Sequence, residues 1–160
     1  MVATPYPGFR NTDGGPTAFK LRSARRGDTD ALSALIGELG YPEGVDPATL
    51  HWVVSHPEIE IIVAVDSTDR PMGMITLSHR PQLRLKGRVA TIDELVVATR
   101  WRRKGVAKSL IKRAMERSKV LGAKRLELHG HGATTDPGVV LFAKACGFTQ
   151  TDASAFSQIP

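Results

Sequence analysis

Arg102-Arg103-Lys104-Gly105-Val106-Ala107 sets three cations, a glycine and a small residue directly before an amphipathic stretch, and this spacing builds an anion cradle. The first turn of a helix carries backbone N–H groups with no intrahelical acceptor and a partial positive charge, so it attracts phosphate. Gly105 and Ala107 are small where bulk would hold a phosphate off the main chain, and Arg102, Arg103 and Lys104 add side-chain charge. The chemistry indicated is the grip on a diphosphate-bearing cofactor. The usual nucleoside-phosphate loops are excluded, because no G-x-x-x-x-G-K-[ST] occurs and no G-x-G-x-x-G opens the helix with an acidic residue about twenty positions on. From the hexapeptide alone, a helix start with solvated basic side chains is the competing reading.

A strand and a helix must position that run. Upstream, Val89 to Ala98 is rich in β-branched residues and reads as a largely buried strand. Downstream, Val106, Leu110, Ile111, Ala114, Ser118 and Leu121 recur at helical spacing, predicting a helix from about Arg103 to a stop at Gly122. Arg125 to His129 is the next strand, and a right-handed crossover makes it parallel to the first.

The remaining elements follow the same logic. Residues 1–17, with Pro5, Pro7, Gly8, Gly14, Gly15 and Pro16, form an irregular arm, and 18–160 form one domain. Ala18 to Ala24 alternates as a strand, and Asp28 to Leu39 is a helix with Leu32, Leu35 and Ile36 on one face. Ala48 to Ser55 is a second helix, carrying His51 and, as a core residue, Trp52. Glu58 to Val65 is a strand, Asp66 to Arg70 a turn, Pro71 to Ser78 its hairpin partner, and Arg80 to Arg88 a basic loop. Asp136 to Cys146 is a shorter helix and Phe148 to Ile159 a final strand region. The order β-α-α-β-β-β-α-β-α-β has no repeat and no linker, which describes an α+β sheet with helices on its faces.

Composition narrows the classes. A chain of 160 residues with 41% hydrophobic content suits one soluble domain. Nothing is apolar over a membrane-spanning length, residues 1–8 lack the pattern of a signal peptide, and no membrane partner is expected. The one cysteine, Cys146, excludes an internal disulfide and suits a reducing, cytoplasmic setting, where it reads as a small buried apolar residue. His129 and His131 lie past the end of a parallel strand, a common place for ligand contacts, and read as loop histidines or as an acid or base; no Cys or carboxylate follows at ligand spacing, so no metal is expected.

Net charge is +6, yet residues 80–125 hold 15 basic and 3 acidic residues, a local +12 against −6 elsewhere. No recognition-helix or zinc-finger pattern is present and aromatics are only 6%, so a basic cofactor cleft around the cradle is expected in place of a nucleic-acid surface. Glu38, Glu43 and Asp46 read as solvated charges.

Over residues 18–160 the chain resembles the GNAT superfamily of N-acetyltransferases. The signature of a strand followed by [QR]-x-x-G-x-[GA] is matched by Ile92 to Val97 and Arg102 to Ala107, and Asp136 to Phe148 is similar to the second motif, N-x-x-A-x-x-[LF]-Y-x-x-x-G-F. The resemblance implies a GNAT-like mixed, mostly antiparallel sheet with a parallel pair at the cofactor site and helices on both faces. It implies acetyl-coenzyme A as co-substrate, bound by Leu95, Val96 and Val97 along the pantetheine arm, by Arg102, Arg103, Lys104, Gly105, Val106, Ala107, Lys108 and Ser109 at the pyrophosphate, and by Asp136 and Phe142 of the second motif. Its acceptor would be an amine of a small molecule or peptide. Oligomeric state stays open, with a homodimer as the prior.

An amine attacks a thioester only when neutral, and a lysine-like pKa of about 10.4 leaves a gap worth roughly 4–5 kcal/mol at pH 7. A positioned base narrows it, and Glu94, on the central strand before the pantetheine stretch, is the candidate, acting through water. In a regular strand Asp93 would point to the opposite face. Two departures stand out: Asp136 replaces the usual Asn, and Ala143 occupies the position where the family commonly has a Tyr acid. The alternative reading is a catalytically weak CoA-binding regulatory module.

Overall fold

Runs of β-branched and aliphatic residues lay down five strands: β1 (Lys20–Ser23), β2 (Ile59–Val65), β3 (Pro71–Gln82), β4 (Gly87–Val97) and β5 (Ala123–Leu128). The computed structural model describes residues 19–129, 137–151 and 158. The chain divides into two units, Met1–His129 and Gly130–Pro160, and the sheet belongs to the first. Strand order is β1-β2-β3-β4-β5, antiparallel throughout except for the parallel β4–β5 pair. This is the mixed, mostly antiparallel sheet expected from the sequence.

Strand register shows which helix covers which face. Ile61, Val63 and Val65 of β2, with Met74 of β3 and Val96 of β4, pack beneath Leu32 and Leu35 of α1 (Thr29–Glu38) and Leu50 of α2 (Pro47–Val54). The alternate residues, Ile62 paired with Ile75 and Leu77 paired with Ile92, face the other way. There α3 (Val106–Val120) lies, with Val106, Leu110, Ile111 and Ala114 buried. Arg117 of α3 confirms the side by donating through Nε to Glu60 of β2 at 2.8 Å. In the second unit α4 (Pro137–Ala145) ends at Gly147, whose φ of +89° suits glycine.

Three expectations are corrected. Trp52 is 68% exposed, because Leu50 carries the buried face of α2 and a residue two positions on points away from it. The basic stretch 80–88 is mostly strand: β3 runs to Gln82, β4 restarts at Gly87, and the turn closes through Lys86 N–H to the Leu83 carbonyl at 3.0 Å. Helix α3 begins at Val106, and residues 102–105 form a turn ahead of it. The 1–17 arm lies outside the described residues. So does most of the 148–159 region, of which 148–151 and 158 carry no strand.

One ion cluster ties β1 to the neighbouring turns. Arg22 donates from Nη1 and Nη2 to both carboxylate oxygens of Asp28 at 2.8 and 2.9 Å, and from Nε to Asp69 at 2.9 Å. Asp28 is 7% exposed and also accepts the Arg25 amide at 2.7 Å. Burial pushes its carboxyl up, but the Arg22 and Arg25 bonds outweigh burial and hold it below the ordinary 3.8. A lowered folded pKa contributes stability that is complete above the unfolded value and is lost as pH falls through the folded one. Asp28→Asn should therefore cost about 1–3 kcal/mol at neutral pH by removing the carboxylate charge that both Nη atoms of Arg22 and the Arg25 amide share. It should also flatten the loss of stability on acidification, and urea midpoints for both proteins at neutral and acid pH check this. Acid limbs of equal steepness would refute it.

Candidate functional site

The site grows from an irregularity in β4. Register runs Leu77 to Ile92 and then Thr76 to Glu94, so Asp93 is an extra residue that β3 does not match. A bulge of this kind breaks the two-residue alternation and re-aims the side chains that follow. Glu94 consequently shares the α1/α2 face with Thr76 and Val96, whereas Ile92 faces α3. Regular two-residue alternation, on which the expectation for Asp93 and Glu94 rested, is therefore interrupted at Asp93. Both are half-buried, and no hydrogen bond or ion pair joins the Glu94 carboxylate to a described residue.

Pairing with β5 stops at the same place. The parallel ladder ends at Ile92 with Leu128, and the last bond is His129 N–H to the Ile92 carbonyl at 3.2 Å. Among the described residues no strand meets that side of β4 from Asp93 to Val97. The Val96 carbonyl lies toward β3, 3.3 Å from where a Cβ on Gly73 would stand, and Ala98 N–H donates to Met72 of β3 at 2.8 Å. Alternation then turns the backbone groups of Leu95 and Val97 outward to the open edge.

Beyond β4 a 3-10 turn (Thr99–Trp101) leads into the basic run. Arg103 has φ +63° and Gly105 φ +80°, two left-handed residues either side of Lys104. A non-glycine residue held there costs on the order of 1 kcal/mol, a strain that clusters at ligand sites. Gly105 is the N-cap of α3 and supplies no capping side chain, so the amides of the first turn are not closed off by the chain's own cap. Arg103, Lys104 and Lys108 are exposed, Ser109 and Ala107 are half-buried, and the Lys104 ammonium sits 4.9 Å from the Trp101 ring centre.

Arg102 is spent differently from its neighbours. Its Nε donates to the Val97 carbonyl at 2.9 Å and its Nη2 approaches Glu38 at 3.6 Å, so it braces the turn against the end of β4. Glu38, at the end of α1, accepts both the amide and the hydroxyl of Thr99 at 2.9 Å. Reading Glu38 as a solvated charge missed this contact, and no local signal could show it, since Thr99 lies 61 residues away. Asp46 is likewise engaged, capping α2 through the Thr49 amide at 2.9 Å.

Gly73 was also invisible in the sequence. A Cβ there would stand 3.1 Å from Val106 Cγ1 and 3.5 Å from Leu110 Cδ1, so its bareness lets the start of α3 seat on β3 beside the open edge. His129 is exposed and 3.3 Å from Glu127 through Nε2, while His131 and Asp136 lie outside the described residues. Phe142, Ala143 and Cys146 are half-buried on or just past α4 in the second unit. Among the described residues no group of three or more His, Cys, Asp or Glu could hold a metal ion.

The cations are not concentrated around the cradle, as composition suggested. Arg100, Arg103, Lys104 and Lys108 stand where β4 ends, but the hairpin turn, Lys119 and Lys124 stand where it begins. The length of β4 separates the two groups by roughly 30 Å.

Residues 29–148 match the family model described as acetyltransferase (GNAT) family. Among solved structures, the chain is 24% identical to a protein of Agrobacterium tumefaciens str. C58 assigned as an acetyltransferase, with a TM-score of 0.78 over 88% of this chain and 99% of that one. Glucosamine-6-phosphate N-acetyltransferase from Arabidopsis thaliana is 19% identical, with a TM-score of 0.75 over 89% and 99% of the two chains. An aminoglycoside acetyltransferase from an uncultured soil metagenomic sample, in complex with sisomicin, is 17% identical, with a TM-score of 0.74 over 89% and 97%. No curated protein matches the chain.

Gly73→Ala tests the seat of α3. The added methyl should destabilise the protein by about 1–3 kcal/mol, since Val106 and the Val96 carbonyl surround it. Gly105→Ala meets no neighbour within 4 Å and should cost only about 1 kcal/mol, from its positive φ. Thermal unfolding of the two variants ranks them, and a larger loss at position 105 would overturn this account.

Proposed function

Because the chain belongs to the acetyltransferase (GNAT) family, whose model spans residues 29–148, we propose that it moves an acetyl group from acetyl-coenzyme A to a primary amine. The observation that carries this reading is the open edge of β4, from the bulge to Val97, running into the N-terminus of α3. An extended pantetheine arm needs backbone donors and acceptors, and Leu95 turns both of its own outward beside the Val97 N–H, while the Val97 carbonyl already accepts from Arg102. The pyrophosphate needs clustered amides, and the turn from Arg103 through Ala107, continued by Lys108 and Ser109, provides them. Val96 supports the strand from the core side and Arg102 holds the turn in shape. Asp136 and Phe142 enter this reading only through the sequence motif.

In the reaction the amine nitrogen attacks the thioester carbonyl carbon, the C–S bond breaks, and coenzyme A leaves as thiolate. Glu94 takes the amine proton through a water molecule, consistent with a carboxylate that the described residues leave unpaired. Ala143 has no hydroxyl to give, so the thiolate takes its proton from solvent. Two structural neighbours are named for amino-sugar and aminoglycoside acetyl transfer, which makes glucosamine 6-phosphate and an aminoglycoside the first acceptors to try.

Thiol release from acetyl-coenzyme A over a panel of amines is the direct test. Turnover with at least one amine is expected, and Glu94→Gln should lower kcat about a hundredfold while leaving coenzyme A affinity unchanged. Asp93→Asn should have a far smaller effect. Coenzyme A binding without turnover on any amine would favour the regulatory-module reading, and an unchanged rate in Glu94→Gln would remove Glu94 as base.

A further inference from the structure

The basic group at the start of β4 has no part in gripping a cofactor at the other end, so it needs its own explanation. Pairing of β2 with β3 ends at Ser78, followed by His79 N–H to the Glu58 carbonyl, and pairing of β5 with β4 begins at Arg88. The backbone of residues 80–87 therefore pairs only within its own hairpin ribbon, beyond the last pairings to β2 and β5, with the Lys124 side chain against Gly87 at its base. Leu83 at the apex is 97% exposed, and Val120, at the end of α3 beside the base of the ribbon, is 74% exposed. Arg80, Arg84, Lys86, Lys119 and Lys124 surround them, all exposed and none in an ion pair with a described residue. The acids on the neighbouring elements are engaged: Glu58 lies 3.5 Å from Arg88, Glu116, one turn before Lys119, lies 3.8 Å from Arg113, and Glu127 lies 3.6 Å from Arg125.

We propose that this end of the protein docks on an anionic bilayer surface, with Leu83 entering the headgroup region and the five cations facing the lipid charges. A protruding aliphatic apex ringed by Lys and Arg combines the two attractions that hold peripheral proteins on such a surface, burial of apolar area and charge complementarity. The expectation of no membrane partner rested on the lack of a spanning segment, which a peripheral contact does not need. Nucleic acid is the weaker fit. The ribbon and the α3 terminus carry no aromatic side chain to stack a base, and a phosphate backbone would leave Leu83 in water.

Cosedimentation of the full chain with vesicles of phosphatidylcholine and phosphatidylserine, compared with phosphatidylcholine alone, tests this. Binding should occur only with the anionic vesicles and weaken as salt rises. Leu83→Ser, which leaves charge unchanged, should weaken it about tenfold or more, and Lys86→Ser by about fivefold. Both positions are exposed and roughly 30 Å from the cradle, so retained stabilisation by coenzyme A certifies the fold of each variant. Failure to sediment with anionic vesicles at low salt overturns the proposal. So does binding indifferent to Leu83→Ser, and so does duplex DNA that binds this surface and displaces the vesicles.

Discussion

One extra residue in β4 sets how the two halves of that strand are used. With Asp93 unmatched by β3, the strand cannot keep a single alternation along its length, so one half serves one face and the other half re-aims. The first half, up to Ile92, completes the layer under α3 and pairs with β5. The second half turns Glu94 and Val96 toward α1 and leaves Leu95 and Val97 with outward backbone groups. Without the bulge, two-residue alternation from Ile92 would aim Glu94 at α3.

The cradle beside that edge is held by unequal contacts. The Arg102–Glu38 pair, at 3.6 Å with side chains 52% and 36% exposed, is a surface ion pair of the kind worth under about 1 kcal/mol. The firmer ties are the Thr99 amide on Glu38 and the Arg102 Nε on the Val97 carbonyl, both 2.9 Å. They keep α1 in register with the turn and help sustain the left-handed backbone at Arg103. Bareness at Gly73 completes the arrangement from below by letting Val106 and Leu110 close on β3.

Charge is distributed along β4 as two groups, not one. At ordinary ionic strength the screening length is about 10 Å, so groups roughly 30 Å apart act independently. A cation at the hairpin turn therefore adds little to the electrostatic potential at Gly105, and each end carries its own field.

From sequence alone, the elements with strong periodicity were legible almost to the residue. The β4–α3–β5 unit and its parallel pairing followed from a buried β-branched run, a helical stripe and the handedness of crossovers. Periodicity is written in local order, which is why those elements could be placed. Tertiary structure alone decided the rest. Whether Asp93 was a regular strand residue depended on what β3 offers opposite it, whether Arg80 to Arg88 was loop or ribbon depended on pairing across the turn, and Trp52 depended on which side of α2 the sheet took. Glu38 and Gly73 gained their roles from contacts with residues distant in the chain, Thr99 and Val106, and the division of charge between two poles appeared only once β4 set its ends apart. Each of these is a relation between segments, and a linear pattern holds no term for the distance between them.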